Sequence, residues 1–142
     1  MGVSSINKIL NIFKNDLHIY TDGSHKGKWG SWAFVVTKND MIIHEASGRA
    51  SKTNSNRMEF QAAIEALIFL KAGAKAIIYS DSRILINAVS STQDRPETNE
   101  DQLHVLDELI AYWHVTWKWV KAHSGITFNE RCDELCVLAR GC

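Results

Sequence analysis

Residues 17–45 read LHIYTDGSHKGKWGSWAFVVTKNDMIIHE, and the way this stretch alternates decides the fold. Leu17, Ile19 and Tyr20-Thr21 carry apolar and β-favouring side chains into Asp22-Gly23-Ser24, which reads as a strand running into a turn. Residues 32–37 and 41–45 are two further β-rich runs, and Lys38-Asn39-Asp40 between them has the composition of a hairpin turn. Three antiparallel strands are therefore expected in succession.

Beyond this meander the period changes. Met58, Ala62, Ala63, Ala66, Leu67 and Leu70 recur at helical spacing from Asn56 onward, with Gly73 placed to close the helix. Ala76-Ile77-Ile78-Tyr79 is a short apolar strand ended by Ser80-Asp81-Ser82, and Ile84, Leu85 and Val89 then predict a brief helix. Residues 90–101 are polar, contain Pro96 and predict a loop. Leu103, Leu106, Leu109, Ile110 and Trp113 predict another helix, residues 115–120 a strand and residues 129–140 a final helix. Trp117 and Trp119 alternate onto one face of that last strand, where core packing is expected rather than a base-stacking platform. The class is α/β, a five-stranded mixed sheet flanked by helices. Upstream, Ile6, Ile9, Leu10 and Phe13 fall at helical spacing, so residues 1–16 read as a short N-terminal extension and residues 17–142 as a single domain.

A chain of 142 residues with 45% hydrophobic side chains suffices for one buried core. Sixteen basic and sixteen acidic side chains cancel, which excludes a protein that finds nucleic acid by bulk charge. Phosphate contacts would have to be local, from groups such as Lys26 with Lys28, Lys52 with Arg57, or Lys118 with Lys121. The three cysteines are an odd number, and the spacing of Cys132 and Cys136 puts both on one helix face, poorly aligned for a disulfide. Without a Cys-x-x-Cys pair, a zinc site is disfavoured and buried thiols in a reducing compartment are expected. The first residues lack a secretory signal pattern, and the Met-Gly start has Ile6 where a myristoylation site needs Ser or Thr. No run is long enough to span a bilayer, so a cytoplasmic protein without membrane attachment is expected.

Asp22, Glu59, Asp81 and Asp133 sit near strand ends or within helices, where open α/β sheets build their sites. Phosphodiester hydrolysis by two divalent cations uses such carboxylates, because hard oxygen ligands suit Mg²⁺ or Mn²⁺. On spacing alone each of them reads sooner as a cap or a solvated charge than as a ligand, and Asp22 and Asp81 as simple turn residues.

The local sequences are more specific. Tyr20-Thr21-Asp22-Gly23-Ser24, Asn56-Arg57-Met58-Glu59, Ser80-Asp81-Ser82, Trp119-Val120-Lys121-Ala122-His123-Ser124-Gly125 and Asn129-Glu130-Arg131-Cys132-Asp133-Glu134-Leu135 follow one another in the order and context of type 1 ribonucleases H. The chain resembles that family from about Leu17 to Ala139. The resemblance implies a ribonuclease H-like fold and an endonuclease that cuts the RNA strand of RNA–DNA hybrids with two Mg²⁺ ions, Mn²⁺ being a substitute. It implies that Asp22 bridges both metals, that Asp133 holds the metal that activates water, and that Glu59 and Asp81 serve the second. His123 would lie on a loop and assist protonation or product release, a role suited to a side chain that titrates near neutrality. Gly23, Ser24, Ser55, Asn56 and Arg83 would lie along the substrate cleft, with Asn56 at the minor groove and Asn129 a second contact; the cleft would tell RNA from DNA by the 2′-hydroxyl. A monomer acting on the hybrid duplex is the expected assembly.

The chain also departs from the family's pattern. Its turn over residues 24–31 is short and holds Lys26, Lys28 and Trp29, and residues 91–101 are acidic on balance where many bacterial members carry a basic protrusion. Asn54-Ser55-Asn56 replaces the common paired asparagines. Two alternatives stand beside this reading: a resolvase- or integrase-like nuclease on the same fold, and a non-catalytic nucleic-acid-binding module.

Overall fold

The computed structural model describes residues 16–70, 74–91, 93–111 and 114–141. Strands β1 (Leu17–Lys26), β2 (Trp29–Lys38) and β3 (Met41–Ser51) form the antiparallel meander, and β4 (Lys75–Ser80) and β5 (His114–Trp119) complete a five-stranded sheet of order β3-β2-β1-β4-β5. β4 pairs with β1 and β5 with β4 in parallel, so the sheet is mixed, as expected. Helices α1 (Ser55–Phe69), α2 (Arg83–Ser90), α3 (Glu100–Ile110) and α4 (Thr127–Arg140) cover it. The expected N-terminal helix at Ile6, Ile9, Leu10 and Phe13, the Gly73 cap and Trp113 lie outside the described residues.

Three boundaries differ from the sequence reading, each for a local reason. The first strand does not end at Asp22: β2 starts at Trp29, so Ser24 pairs with Ser31 and Lys26 with Trp29, and the ladder carries β1 past the aspartate to a turn at Gly27. β3 runs on to Ser51 because β2 offers partners along its whole length. The segment expected as a loop up to Asp101 already turns helical, with a 3₁₀ turn at Glu97–Asn99 leading into α3. Arg57 anchors that segment by donating to the Thr98 carbonyl and to both carboxylate oxygens of Asp101. The second hairpin turn is as expected, since Asn39 and Asp40 both take positive φ, the conformation of a two-residue turn that matches strand twist.

Strand alternation divides the core. Ile19, Phe34, Val36 and Ile78 face Phe60, Ile64 and Leu67 of α1, with Leu85 of α2 and Leu103 and Leu106 of α3 closing the cluster. Burying each such side chain contributes about 1.5–3 kcal/mol. The opposite face of β1 and β2 is closed by α4, whose Cys132 and Cys136 thiols point at the carbonyls of Tyr20 and Asp22. Both cysteines are buried and unpaired, as the spacing predicted. Among the described residues, no helix is long and apolar enough to cross a membrane.

Candidate active site

β4 stops at Ser80, and its register with β1 ends at Tyr20 opposite Tyr79. Past that point the β4 side of β1 has no strand partner among the described residues, so the Gly23 N–H is free to donate to side chains. It donates to Glu59 Oε1 at 2.5 Å and to Asp22 Oδ1 at 3.0 Å. α1 crosses so closely that a Cβ on Gly23 would collide with the backbone of Met58 and Glu59, which explains why glycine follows the aspartate. Asn54 caps α1 by accepting from the Arg57 N–H, setting the first turn that delivers Glu59. Ser80 Oγ donates to Glu59 Oε2 at 3.3 Å, and Asp81 follows as the chain leaves β4. Asp133 comes from α4 on the other side of the sheet, its helix tied down by the Ser31 hydroxyl donating to the Cys136 carbonyl.

The outcome is two groups. Ligand oxygens of Asp22, Glu59 and Asp81 lie within 4.8 Å of one another, and so do ligand atoms of His123, Glu130 and Asp133. Asp133 therefore joins the histidine group, while its charge still acts on Asp22 and Asp81. Glu130 is a residue the sequence reading did not single out. It lies three residues before Asp133 on the same helix, a spacing that shares a face, and its Oε2 is 4.0 Å from His123 Nδ1. His123 is 73% exposed at the side chain and holds a left-handed φ of 51° on the loop after β5.

Burial dominates the electrostatics. It pushes Asp22 up to about 7, with the charges of Asp81 and Asp133 adding to the rise and the hydrogen bonds from Glu59 and Gly23 opposing it. Glu59 rises well above the carboxylate range, through burial first and then the charges of Asp22 and Asp81. Asp81 rises by burial too, opposed by its bond to Glu59 and by His123. Burial and mutual repulsion thus oppose ionisation of the three carboxylates together, a divalent cation among them would relieve that repulsion, and their oxygens are the hard donors such an ion prefers. The residues present thus fit a divalent metal centre.

A groove of about 450 Å³ opens over this cluster, lined by Gly23, Ser55, Asn56, Glu59, Asp81, Ser82, Arg83 and Ile84. Of the expected substrate contacts, Gly23, Ser55, Asn56 and Arg83 are brought together here. Ser24 lies half-buried opposite Ser31 in the ladder, and Asn129 is 4% exposed on α4 with an Oδ1 that has no partner among the described residues. Arg57, expected near phosphate, is committed to Asp101. The core expectation holds for Trp117, which packs against the cluster, but not for Trp119, which is 39% exposed. β5 is an edge strand and Trp119 its last residue, opposite Ser80, so its ring emerges at the open end of the sheet beside the groove.

Grouped acidic oxygens at the end of a mixed sheet, beside amide and guanidinium donors, have the donor chemistry of a centre that takes divalent cations and an anionic substrate. The sequence profile described as RNase H matches residues 14–140. A ribonuclease H from Cyanothece sp. is 38% identical over 133 residues, covering 82% of this chain and 84% of the relative. One from Francisella philomiragia is 38% identical over 136 residues, covering 86% and 89%. Among solved structures, LC11-RNase H1 in complex with RNA/DNA hybrid superposes with a TM-score of 0.78 at 20% identity, covering 88% of this chain and 96% of that one. RNase H1 from the archaeon Halobacterium salinarum gives 0.74 at 21% identity, covering 87% and 96%. The chain belongs to the ribonuclease H family.

Proposed function

We propose that this chain is an endonuclease that hydrolyses the RNA strand of RNA–DNA hybrids, with two divalent cations, Mg²⁺ or in its place Mn²⁺, held by Asp22, Glu59, Asp81 and Asp133. The observation that carries this reading is the meeting of Asp22, Glu59 and Asp81 oxygens within 4.8 Å from three separate elements, in a chain of this family. The bound cations would supply activation of water and stabilisation of the leaving oxygen.

The protein's own groups do the rest. The Gly23 N–H and the Ser80 hydroxyl hold the two oxygens of Glu59, so the carboxylate is oriented before any ligand arrives. Asp22 is fixed by the same Gly23 N–H. Beside Gly23, Ser55 and Asn56 present short polar donors and acceptors at the groove, the groups that can read a 2′-hydroxyl, and Arg83 offers a guanidinium to backbone phosphate. His123 turns Nδ1 toward Glu130, and its Nε2, without a partner among the described residues, can pass a proton to the departing oxygen. We place the enzyme as a cytoplasmic monomer.

The test is incubation with labelled RNA–DNA hybrid, single-stranded RNA, double-stranded RNA and double-stranded DNA, in Mg²⁺, in Mn²⁺ and in chelator. Cutting confined to the RNA strand of the hybrid and abolished by chelator is expected. Equal cutting of double-stranded DNA would favour a resolvase-like enzyme, and binding without cutting in either metal a non-catalytic module.

A further inference from the structure

Arg83 opens α2 on the wall of the groove beside Asp81, yet it donates to no carboxylate among the described residues. The other arginines near acids behave differently: Arg57, Arg95 and Arg131 are clamped on Asp101, Asp107 and Glu45. The Arg83 guanidinium instead lies over the Trp119 ring, 4.0 Å from its centroid. The same indole donates its Nε1–H to the Asp81 carbonyl at 3.0 Å. Between the two contacted residues sits Ser82, whose hydroxyl accepts from the Leu85 N–H and so starts α2. One side chain at the end of β5 thus touches the main chain of a carboxylate-bearing strand end and the cation two residues later.

The stack has a chemical consequence. A guanidinium left free beside three carboxylates would pair with one of them and compete with the metal for its oxygens. Held by its face on an aromatic ring, it keeps its N–H donors directed at no acceptor among the described residues and available to an anion. We propose that Trp119 is a positioning residue of the hydrolytic site: it holds Arg83 as the phosphate-contacting cation of the groove wall and fixes the strand end that carries Asp81. This rests on the reading of the groove as the path of the hybrid.

The two contacts separate by substitution. Trp119→Phe keeps a ring face and loses the N–H, Trp119→Leu loses both, and Arg83→Ala removes the cation. Binding of labelled hybrid is measured in chelator by fluorescence anisotropy over a range of salt, and KM and kcat are measured in Mg²⁺, with thermal melts for each variant. Arg83→Ala is expected to weaken hybrid binding and to flatten the dependence of log affinity on log salt by about 0.9, the loss of one phosphate contact. Trp119→Leu weakens binding about two- to fivefold, the range of an exposed cation–π contact, and adds nothing in the Arg83→Ala background. Trp119→Phe leaves KM within about twofold and lowers kcat about two- to tenfold, the range of one hydrogen bond.

Equal weakening by Trp119→Leu in both backgrounds overturns the proposal, as does an unchanged salt slope in Arg83→Ala or an unchanged kcat in Trp119→Phe. Should the leucine variant fail to fold, the phenylalanine variant and Arg83→Ala decide. A parent protein that neither binds nor cuts the hybrid would defeat the ribonuclease reading itself, whereas a parent that cuts, with variants that behave like it, would defeat only the role of Trp119.

Discussion

Asp22→Asn should stabilise the metal-free protein while abolishing turnover. The amide is nearly isosteric with the acid, and its Oδ1 can still accept from the Gly23 N–H as the carboxylate does at 3.0 Å. What it removes is an ionised group whose folded-state pKa has risen from 3.8 to about 7, by burial and then by Asp81 and Asp133. At 1.36 kcal/mol per pH unit this corresponds to about 4 kcal/mol against the folded state once the group is ionised. Water entry and relaxation reduce that figure, but even about 1 kcal/mol shifts the melting temperature of a domain this size by about 3–4 °C. The sign follows from linkage: below pH 3.8 the carboxyl is protonated in both states and the difference vanishes; it grows as pH rises through 3.8 and saturates above about 7. Scanning calorimetry in chelator from about pH 4 to about pH 8 should show parent and variant converging at the acid end and the variant higher by at least about 3 °C at the alkaline end. Saturating Mg²⁺ should reverse the order, because a ligand at 100 times its Kd adds about 2.7 kcal/mol to the parent and less to the variant. A variant that melts well below the parent in chelator at every pH would show that Asp22 holds the fold together, and the metal centre would lose its anchor.

His123→Ala should lower kcat by about 10²-fold or less, the lower end for a proton-transfer group, and so be milder than Asp22→Asn; equal damage in single-turnover assays would refute its assisting role. Gly23→Ala should destabilise the fold by about 1–3 kcal/mol in urea titrations, since its methyl overlaps the α1 backbone; a variant as stable as the parent would refute the close approach. Thiol titration of the folded protein should leave Cys132 and Cys136 unreacted until denaturant is added, since both are buried and burial raises their pKa values; fast modification of either would contradict their packing on β1.

The strands and helices were legible because their side chains repeat at the periods that a half-buried sheet and a one-faced helix impose. The boundaries were harder to read, and the reason lies in pairing. Asp22-Gly23-Ser24 has turn chemistry, yet it stays extended because Ser31 and Trp32 stand opposite it, a fact of register that no local window contains. The polar run before Asp101 reads as loop because its helical start is held from outside, by Arg57 reaching across from α1.

The site shows the same split. The carboxylates could be named from motif order, and Gly23, Ser55, Asn56 and Arg83 do share one groove with Glu59 and Asp81. Motif order says nothing about which face of α4 meets which group. Asp133 is three residues beyond Glu130, so the helix face that carries the aspartate also carries the glutamate, and both meet His123. Trp119 was hidden for a related reason. Strand alternation assigns it to the face of Trp117, but alternation sets direction and not depth, and at the last position of an edge strand that direction leads to the rim of the groove. The residues that escape a motif reading here are those that act on a neighbour: Glu130 on an imidazole, Trp119 on a guanidinium and a carbonyl. Their chemistry depends on which elements converge, so it becomes visible only once α2 packs on β5 at Trp119 and the loop after β5 reaches α4 at His123.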